Sequence, residues 1–356
     1  MSIYPAQLLP VLRQLSPDCF LSGEQIAQQL GCSRATVHNA IHAALDAGFR
    51  VHAVHGRGYR LPAPVSWLDA QLLERCFAER GIVLRHHDQL ASTNALLLEW
   101  AAAGADAGND AANLSNNFPA RAPHRSLVTA EWQASGRGRR GRTWFASFAG
   151  GLTFSYLWRS TRPAAQLSGL SLAVGVALVR SLRELGVAKA QVKWPNDIQV
   201  AGAKLAGVLI ELASDKFARD VLAPSTAVIG VGINVQGGEA LTRQLGQPVT
   251  DLRSHLPTLA EDSAIPLDRN ALLLHLVNQL DADLARFEQE GFAAFQNEWH
   301  ACHAHQSQRV SIQLNQDQAI IGTALGVDAQ GALLLETAAG VRAMHSGEVS
   351  LRALPR

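Results

Sequence analysis

The chain has 356 residues, a length that divides into two or three domains rather than one. Hydrophobic residues make up 47% and charged residues 17%, which supplies an ordinary globular core, and the formal net charge is only +1. A balance this near neutrality excludes a global field that draws the chain to nucleic acid or anionic lipid, so any basic function is local. Apolar runs break well short of a membrane span, and the N-terminus lacks the basic start and apolar stretch of a secretory signal. Cys19, Cys32, Cys76 and Cys302 are scattered and form no C-x-x-C pair, which fits free thiols in a reducing compartment. The expectation is a cytoplasmic protein that engages no membrane.

From the N-terminus, Ser22-Gly23-Glu24-Gln25 has the form of a capping box. Ile26, Ala27 and Leu30 supply an apolar helix face, Gly31 a turn, and Ser33 the cap of a second helix with Val37, Ile41 and Leu45 at spacings of four. This is a helix-turn-helix pattern. The second helix presents Arg34, Thr36, His38, Asn39 and His42 on its polar side, with Arg34 and Thr36 near its start, where a recognition helix meets base edges or phosphates. Val51-His52-Ala53-Val54 and Tyr59-Arg60-Leu61 flank the turn His55-Gly56-Arg57-Gly58, a hairpin wing that can lay Arg57 and Arg60 along phosphates. Residues 1–66 hold five Arg, no Lys and three acids, a balance of +2. Ser33, Arg34, Thr36, His38, Asn39, Arg57 and Arg60 are therefore the candidate DNA contacts, and a helical protein-interaction module is the competing reading.

Leu61-Pro62-Ala63-Pro64 reads as a short stiff linker. A mixed α/β block follows, with strand-like runs at Leu127–Ala130, Leu152–Tyr156 and Ala227–Val231, and a helix from Leu167 to Leu185 that buries one broad face. Within it, Gly104 to Pro123 is rich in Ala, Asn, Gly and Asp and reads as a disordered surface insertion. From Arg309 onward, short alternating runs at Val310–Leu314, Ala319–Gly322 and Ala332–Glu336 are separated by turn residues, the pattern of a small sheet or barrel.

The sharpest local signal is Gly136-Arg137-Gly138-Arg139-Arg140-Gly141-Arg142-Thr143-Trp144. It satisfies G-x-G-x-x-G, but a dinucleotide fingerprint opens a helix, whereas here Trp144-Phe145 and Gly150-Gly151 lead to a strand. Four arginines in six residues repel one another until an anion or solvent screens them, and the glycines let backbone wrap a ligand. Such a loop suits a triphosphate or a phosphate–carboxylate anhydride. A nucleic-acid-binding or solvated basic turn has equal standing on spacing alone.

Taken with its neighbours, this loop resembles the biotin-and-ATP loop of the biotin protein ligase family. Ser92-Thr93-Asn94 lies upstream, Gln133 just ahead, and Lys193-Trp194-Pro195-Asn196-Asp197, Lys204-Leu205-Ala206-Gly207 and Gly230-Val231-Gly232-Ile233-Asn234 follow in order. The head, from Ser22 through Tyr59, resembles that of the bifunctional biotin operon repressors. The resemblance spans nearly the whole chain. It implies a multidomain α/β protein: a winged helix-turn-helix over 1–65, a class II synthetase-like α/β catalytic domain over 66–305, and an SH3-like β-barrel over 306–356.

The resemblance further implies ATP-dependent formation of biotinyl-5'-AMP, followed by transfer of biotin to a lysine of the biotin carrier domain of acetyl-CoA carboxylase. ATP would enter with Mg²⁺, and biotin would be the other substrate. Operator DNA of biotin-synthesis genes would be a second partner, with a homodimer forming when biotinyl-AMP is bound. Arg137, Arg139, Arg140 and Arg142 with Gly136 and Gly138 would form the closing loop, and Lys204 would sit beside the carboxylate–phosphate junction. Ser92, Thr93 and Gln133 would hydrogen-bond the ureido ring, with Asn94 completing that turn. Trp144 would offer a flat face to adenine, Asn196 would serve nucleotide or metal, and Asp197 would handle the incoming amine. Gly207, Gly230, Gly232 and Asn234 would line the same pocket.

Each motif also has a plain structural use: Ser92 as a helix cap, Trp194-Pro195 as packing, Asp197 as a turn residue, Gly230-x-Gly232 as a strand bulge. Two rival functions are a biotin-sensing transcription regulator with little ligase activity, against which Lys204 and Asp197 speak, and a lipoate ligase, against which the GRGRRGR loop speaks. Trp299-His300-Ala301-Cys302-His303-Ala304-His305 concentrates metal-ligating types, but no second cluster accompanies it, so it reads as a helix end or exposed linker and no metal site is assigned. After Asn234 the match to the repressor pattern weakens, leaving Leu241, Leu245, Val249 and Leu252 as apolar candidates to cover the nucleotide.

Overall fold

The computed structural model describes residues 8–46, 49–103, 119, 121–146, 149–213, 222–256, 267–313, 319–345 and 350–353. Most of the stretch from Gly104 to Pro123, read as a disordered insertion, lies outside the described residues.

The N-terminal part is a three-helix head with a two-stranded wing: α1 (Leu8–Arg13), α2 (Gly23–Leu30), α3 (Arg34–Asp46), β1 (His52–Val54) and β2 (Gly58–Arg60). The capping box is present: Ser22 accepts from Gln25 N, and the Gln25 side chain accepts from Ser22 N. Gly31 ends α2 in the left-handed region at φ +61°, the conformation that glycine adopts without Cβ strain. Ser33 caps α3 through Thr36 N at 3.1 Å. The buried face of α3 is Val37, Ala40, Ile41 and Ala44, so the spacing of the apolar residues fixes which side is left for contacts. The wing is tied back to the head by two backbone bonds between Leu21 and Tyr59.

The central part is a seven-stranded sheet. In chain order its elements are α4 (Ala70–Ala78), β3 (Val83–Leu90), α5 (Thr93–Ala102), β4 (Ser126–Gln133), β5 (Gly151–Ser160), α6 (Leu170–Glu184), β6 (Ala190–Lys193), β7 (Asp197–Val200), β8 (Ala203–Leu212), β9 (Ser225–Asn234), α7 (Gly238–Leu245), α8 (Arg269–Glu290) and α9 (Gln296–Cys302). The strand order is β3-β4-β5-β9-β8-β7-β6, parallel only between β3 and β4. Alternation splits the two faces. Leu152, Phe154, Tyr156 and Trp158 of β5, with Ala227, Ile229, Val231 and Ile233 of β9, join α4, α6 and α8 in the main core. Leu157 and Val228 on the other face pack with Leu97 and Trp100 of α5.

The helix expected from Leu167 begins at Leu170, because Gly169 takes φ +80° against the Phe292 ring, where a Cβ would lie 2.5 Å from Cγ. By length and composition alone the stretch Ala164–Glu184 is apolar enough to span a membrane. It is instead mostly buried as the core helix under the sheet.

The C-terminal part is a five-stranded antiparallel sheet of β10 (Arg309–Gln313), β11 (Ala319–Val327), β12 (Leu333–Thr337), β13 (Gly340–Met344) and β14 (Ser350–Ala353), in the order β13-β12-β11-β10-β14. Its apolar face (Val310, Ile312, Ala324, Leu333, Leu335) is continuous with the main core. Trp194 Nε1 donates to Gly331 O across this junction.

The His-rich stretch is the end of α9, one of its two expected readings, and forms a buried seam rather than an exposed linker. Trp299, Cys302, His303 and His305 are all buried, His303 stacks on Trp299 at 4.2 Å between ring centres, and Ala304 N donates to Val192 O on β6. Burial pushes His303 down to about 3 and His305 down to about 4, with the charge of His305 adding to the first and that of Lys193 to the second. Both are neutral in the folded protein at pH 7. On unfolding they return to the ordinary 6.5, so below that pH the unfolded chain takes up protons that the folded chain refuses. Stability is expected to fall as pH drops through 6.5, levelling near 4 for His305 and near 3 for His303. His303→Phe keeps the stacking and should flatten the slope by about 1.4 kcal/mol per pH unit. Denaturation at pH 7 and pH 5 checks this, and an unchanged slope in the variant would contradict it.

Candidate active site and nucleic-acid interface

One cavity of about 380 Å³ opens on the α5 side of the sheet, a size suited to a small-molecule ligand. It is lined by Ser92, Thr93, Asn94, Gln133, Arg137, Gly138, Arg139, Arg140, Arg142, Trp144, Asn196, Asp197, Lys204, Gly207, Gly230, Gly232 and Asn234. Gly136 is the one ligand-site candidate outside the lining. It sits behind the loop, where a Cβ would lie 2.5 Å from Trp144 O.

The floor is built at the start of α5. Ser92 caps the helix by accepting from Ala95 N at 3.4 Å, so the cap geometry also aims Thr93 and Asn94 into the cavity. Thr93 N donates to Gln133 Oε1 at 2.7 Å, which fixes the orientation of the Gln133 amide at the end of β4. Asn94 and Trp144 lie flat on β9. A Cβ at Gly230 would be 2.2 Å from Asn94 Oδ1, and one at Gly232 would be 2.3 Å from Trp144 Cε2. The register through these glycines is unbroken on both sides, so they serve close approach and not a bulge. Gly232→Ala is expected to displace the Trp144 ring and lower turnover at this cavity by about 10²-fold, the cost of an ångström-scale misplacement at a reacting site. Steady-state kinetics check this, and wild-type turnover by the variant would contradict it.

The arginine loop is a tight hairpin, not a helix entry. Trp144 N donates to Gly136 O at 2.8 Å and Gly138 N to Arg142 O at 2.7 Å, around a single turn in which Arg140 takes φ +57°. Arg139 reaches inward to Asn196 Oδ1 at 3.2 Å, and Asn196 Nδ2 donates to Val208 O at 2.7 Å. Burial holds the Arg139 pKa below its ordinary value, Arg140 and Arg142 push the same way, and Asp197 opposes them. An anion at this place relieves that cost.

Lys204 and Asp197 meet across β8 and β7 at 2.6 Å, with Lys204 Nζ 5.6 Å from the Trp144 ring centre. Backbone bonds from Lys204 N to Pro248 O and from Thr250 N to Lys204 O fasten the 248–250 segment beside the lysine, and Asn234 Nδ2 donates to Thr250 O. Leu241, Leu245 and Val249 therefore line the cavity, whereas Leu252 is buried in the core. Polar side chains that the sequence did not point to include Thr153, Gln199 and Gln247 of the lining, with Ser155 and Glu211 one contact behind it. Nothing in the pattern singled out Ser155 or Glu211, since β5 also carries Thr153 and Arg159 and β8 also carries Lys204.

The nucleic-acid candidates lie on the head. Arg34, His38 and Asn39 are exposed on α3, with the His38 and His42 rings 4.2 Å apart. Ser33 and Thr36 bond each other at 2.8 Å as part of the cap. Arg57 and Arg60 both lie over the Phe20 ring, at 4.7 and 5.0 Å, and Arg60 also donates to Pro17 O. The exposed face of α3 thus carries its candidates to solvent, while Arg60 turns inward.

A mixed sheet that gathers a polar floor, a lysine–aspartate pair and a loop of arginines over one cavity makes the site of an enzyme for an anionic small molecule. The family model for biotin/lipoate A/B protein ligases matches residues 110–234, that for an HTH domain residues 6–60, and that for the biotin protein ligase C-terminal domain residues 308–352. The bifunctional ligase/repressor BirA of Escherichia coli (strain K12) is 36% identical over 345 residues, 97% of both chains. That of Salmonella typhimurium is 35% identical over 344 residues, again 97% of both. The structure of the Aquifex aeolicus biotin protein ligase in complex with biotin and ATP superposes with a TM-score of 0.59 at 26% identity, covering 76% of this chain and 99% of that one. The chain belongs to the biotin protein ligase family, in its bifunctional ligase/repressor form: a biotin ligase that carries a helix-turn-helix head.

Proposed function

We propose that the protein forms biotinyl-5'-AMP from biotin and ATP and passes biotin to a lysine of the biotin carrier domain of acetyl-CoA carboxylase, and that with the adenylate bound it represses biotin-synthesis genes. The observation that carries the catalytic reading is the meeting of Lys204, Asp197 and the arginine loop over the Thr93–Gln133 floor.

Ser92, Thr93 and Gln133 hold the ureido ring by a few directed bonds, the economy a mostly apolar ligand requires. Lys204 draws the biotin carboxylate toward the α-phosphorus and stabilises the charge that builds there, while Arg137, Arg139, Arg140 and Arg142 take the phosphates. Trp144 faces the adenine side. ATP would enter with Mg²⁺, which would supply charge neutralisation at the phosphates. Asp197, among the described residues the one carboxylate lining the cavity, and the neighbouring Asn196 amide are the side chains that would hold the metal. In the second step the carrier lysine attacks the anhydride, AMP leaves, and Asp197 orients the amine or takes its proton. Biotin-dependent ATP–pyrophosphate exchange tests the first step, and its absence in folded protein with both substrates would overturn the reading.

The domains run over 1–65, 66–305 and 306–356, the last read as an SH3-like barrel from its five short antiparallel strands. The protein works in the cytoplasm, away from membranes, and dimerises when the adenylate covers the site, a shift by differential affinity. The head then meets operator DNA through Ser33, Arg34, Thr36, His38, Asn39 and Arg57, and through Arg60 only if it leaves Pro17 O. Arg34→Ala is expected to weaken operator binding by about 1–3 kcal/mol and leave ligation unchanged. Fluorescence anisotropy on promoter DNA reads the first and carrier biotinylation the second, and undiminished DNA binding would contradict the assignment.

A further inference from the structure

We propose that Glu211 is a positioning residue of the ligase reaction: through Asn94 and Ser155 it joins the Thr93–Gln133 floor to Arg137, so that one hydrogen-bonded chain sets both ligand seat and loop. The proposal rests on the reading of the cavity as the biotin and ATP site.

The chain is continuous. Thr93 Oγ1 lies 3.2 Å from Gln133 Oε1, and Ser155 Oγ lies 2.7 Å from Thr93 Oγ1 and bonds Asn94 Oδ1. Asn94 Nδ2 donates to Glu211 Oε2 at 2.9 Å, and Arg137 Nη2 lies 3.2 Å from Glu211 Oε1. Strand alternation puts Glu211 there: Gly207 and Leu209 face the cavity, and Glu211 continues that face two residues on. The amide has one orientation open to it. Ser155 occupies Oδ1, Leu209 O and Glu211 take Nδ2, and Gly230 leaves no room beneath.

Energetics separate a positioning role from a stabilising one. The Arg137 and Glu211 side chains are 48% and 23% exposed, and a pair this open adds little to stability. Its effect is geometric: the carboxylate holds the first arginine of the loop where a bound anion will lie. Asp197 does the same for Lys204, so each of these two cations waits against its own carboxylate.

The test uses the full chain, with biotin affinity from calorimetry, exchange kinetics and thermal melting on Glu211→Gln, Glu211→Ala, Arg137→Ala and the Glu211→Ala/Arg137→Ala pair. Glu211→Ala is expected to raise the biotin Kd and KM by about tenfold, the scale of one bond to a charged group, with the melting temperature unmoved. Glu211→Gln keeps an acceptor for Asn94 and should fall between. The double variant should lose less affinity than the product of the two single effects, because the two residues act in part as one unit. Effects that multiply in the double variant, or an affinity loss that tracks a fall in melting temperature, would overturn the proposal while wild-type exchange leaves the ligase reading intact. Failure of the wild-type protein to bind biotin would overturn both.

Discussion

Replacing Lys204 with alanine is expected to lower the rate of biotinyl-adenylate formation by about 10²–10³-fold, the loss that follows removal of one preorganised charge at a reacting oxyanion. Two effects add. The ammonium that draws carboxylate and phosphate together is gone, and Asp197, which it neutralises at 2.6 Å, is left facing the incoming phosphates. Lys204→Arg keeps the charge but brings a planar, wider head against Trp144 and Gly207, and should recover only part of the rate. Asp197→Asn added to Lys204→Ala removes the exposed carboxylate and should also recover part. Single-turnover formation of the adenylate with saturating biotin and ATP reads all three. A Lys204→Ala rate within a few-fold of wild type would remove the lysine from the chemistry.

The second large effect is on stability. Glu131 and Arg269 form an ion pair with side chains 0% and 1% exposed. The pair holds the strap between head and catalytic sheet: Glu131 accepts from Leu68 N, and Arg269 donates to Ser66 O and Gly151 O. Removing one partner leaves the other charge buried and uncompensated, so Glu131→Ala is expected to cost about 3–5 kcal/mol. Replacing both residues by apolar ones of similar volume removes the bare charge but strands Leu68 N, Ser66 O and Gly151 O, so it should cost less than either single change without being neutral. Urea unfolding of the variants checks this, with a far smaller loss in Glu131→Ala contradicting the account. Arg13 extends the same contact from the head, reaching Asp88 at 2.8 Å, so the Glu131→Ala variant should also loosen the head against the sheet.

What was legible in the sequence was whatever is local or carried by a contiguous motif. Ser22–Gln25 announces its helix because both partners of the capping box lie within one turn. The wing is legible from Gly56 and Gly58 between short alternating runs. The arginine loop, the Ser92–Asn94 turn and the Lys204–Gly207 run are each compact, and they converge on one cavity because β5, β9 and β8 are neighbours in the sheet. What was not legible depends on pairs far apart in the chain. Glu131 and Arg269 stand 138 residues apart, and no period or cap connects them. Glu211 looks like the polar end of a strand until folding sets it beside Asn94. The histidines at 303 and 305 look exposed by composition, and only the packing of α9 on β6 buries them. Leu252 shares its apolar character with Leu241 and Val249, and nothing short of the fold separates core from cavity wall.

The central claim is tested most directly by incubating the full chain with labelled biotin, MgATP and an isolated biotin carrier domain, then mapping the label by peptide mass spectrometry. The account predicts ATP-dependent transfer to a single carrier lysine, suppressed by Lys204→Ala. Folded wild-type protein that binds biotin yet transfers none would contradict it, and would leave the cavity as the sensor of a regulator.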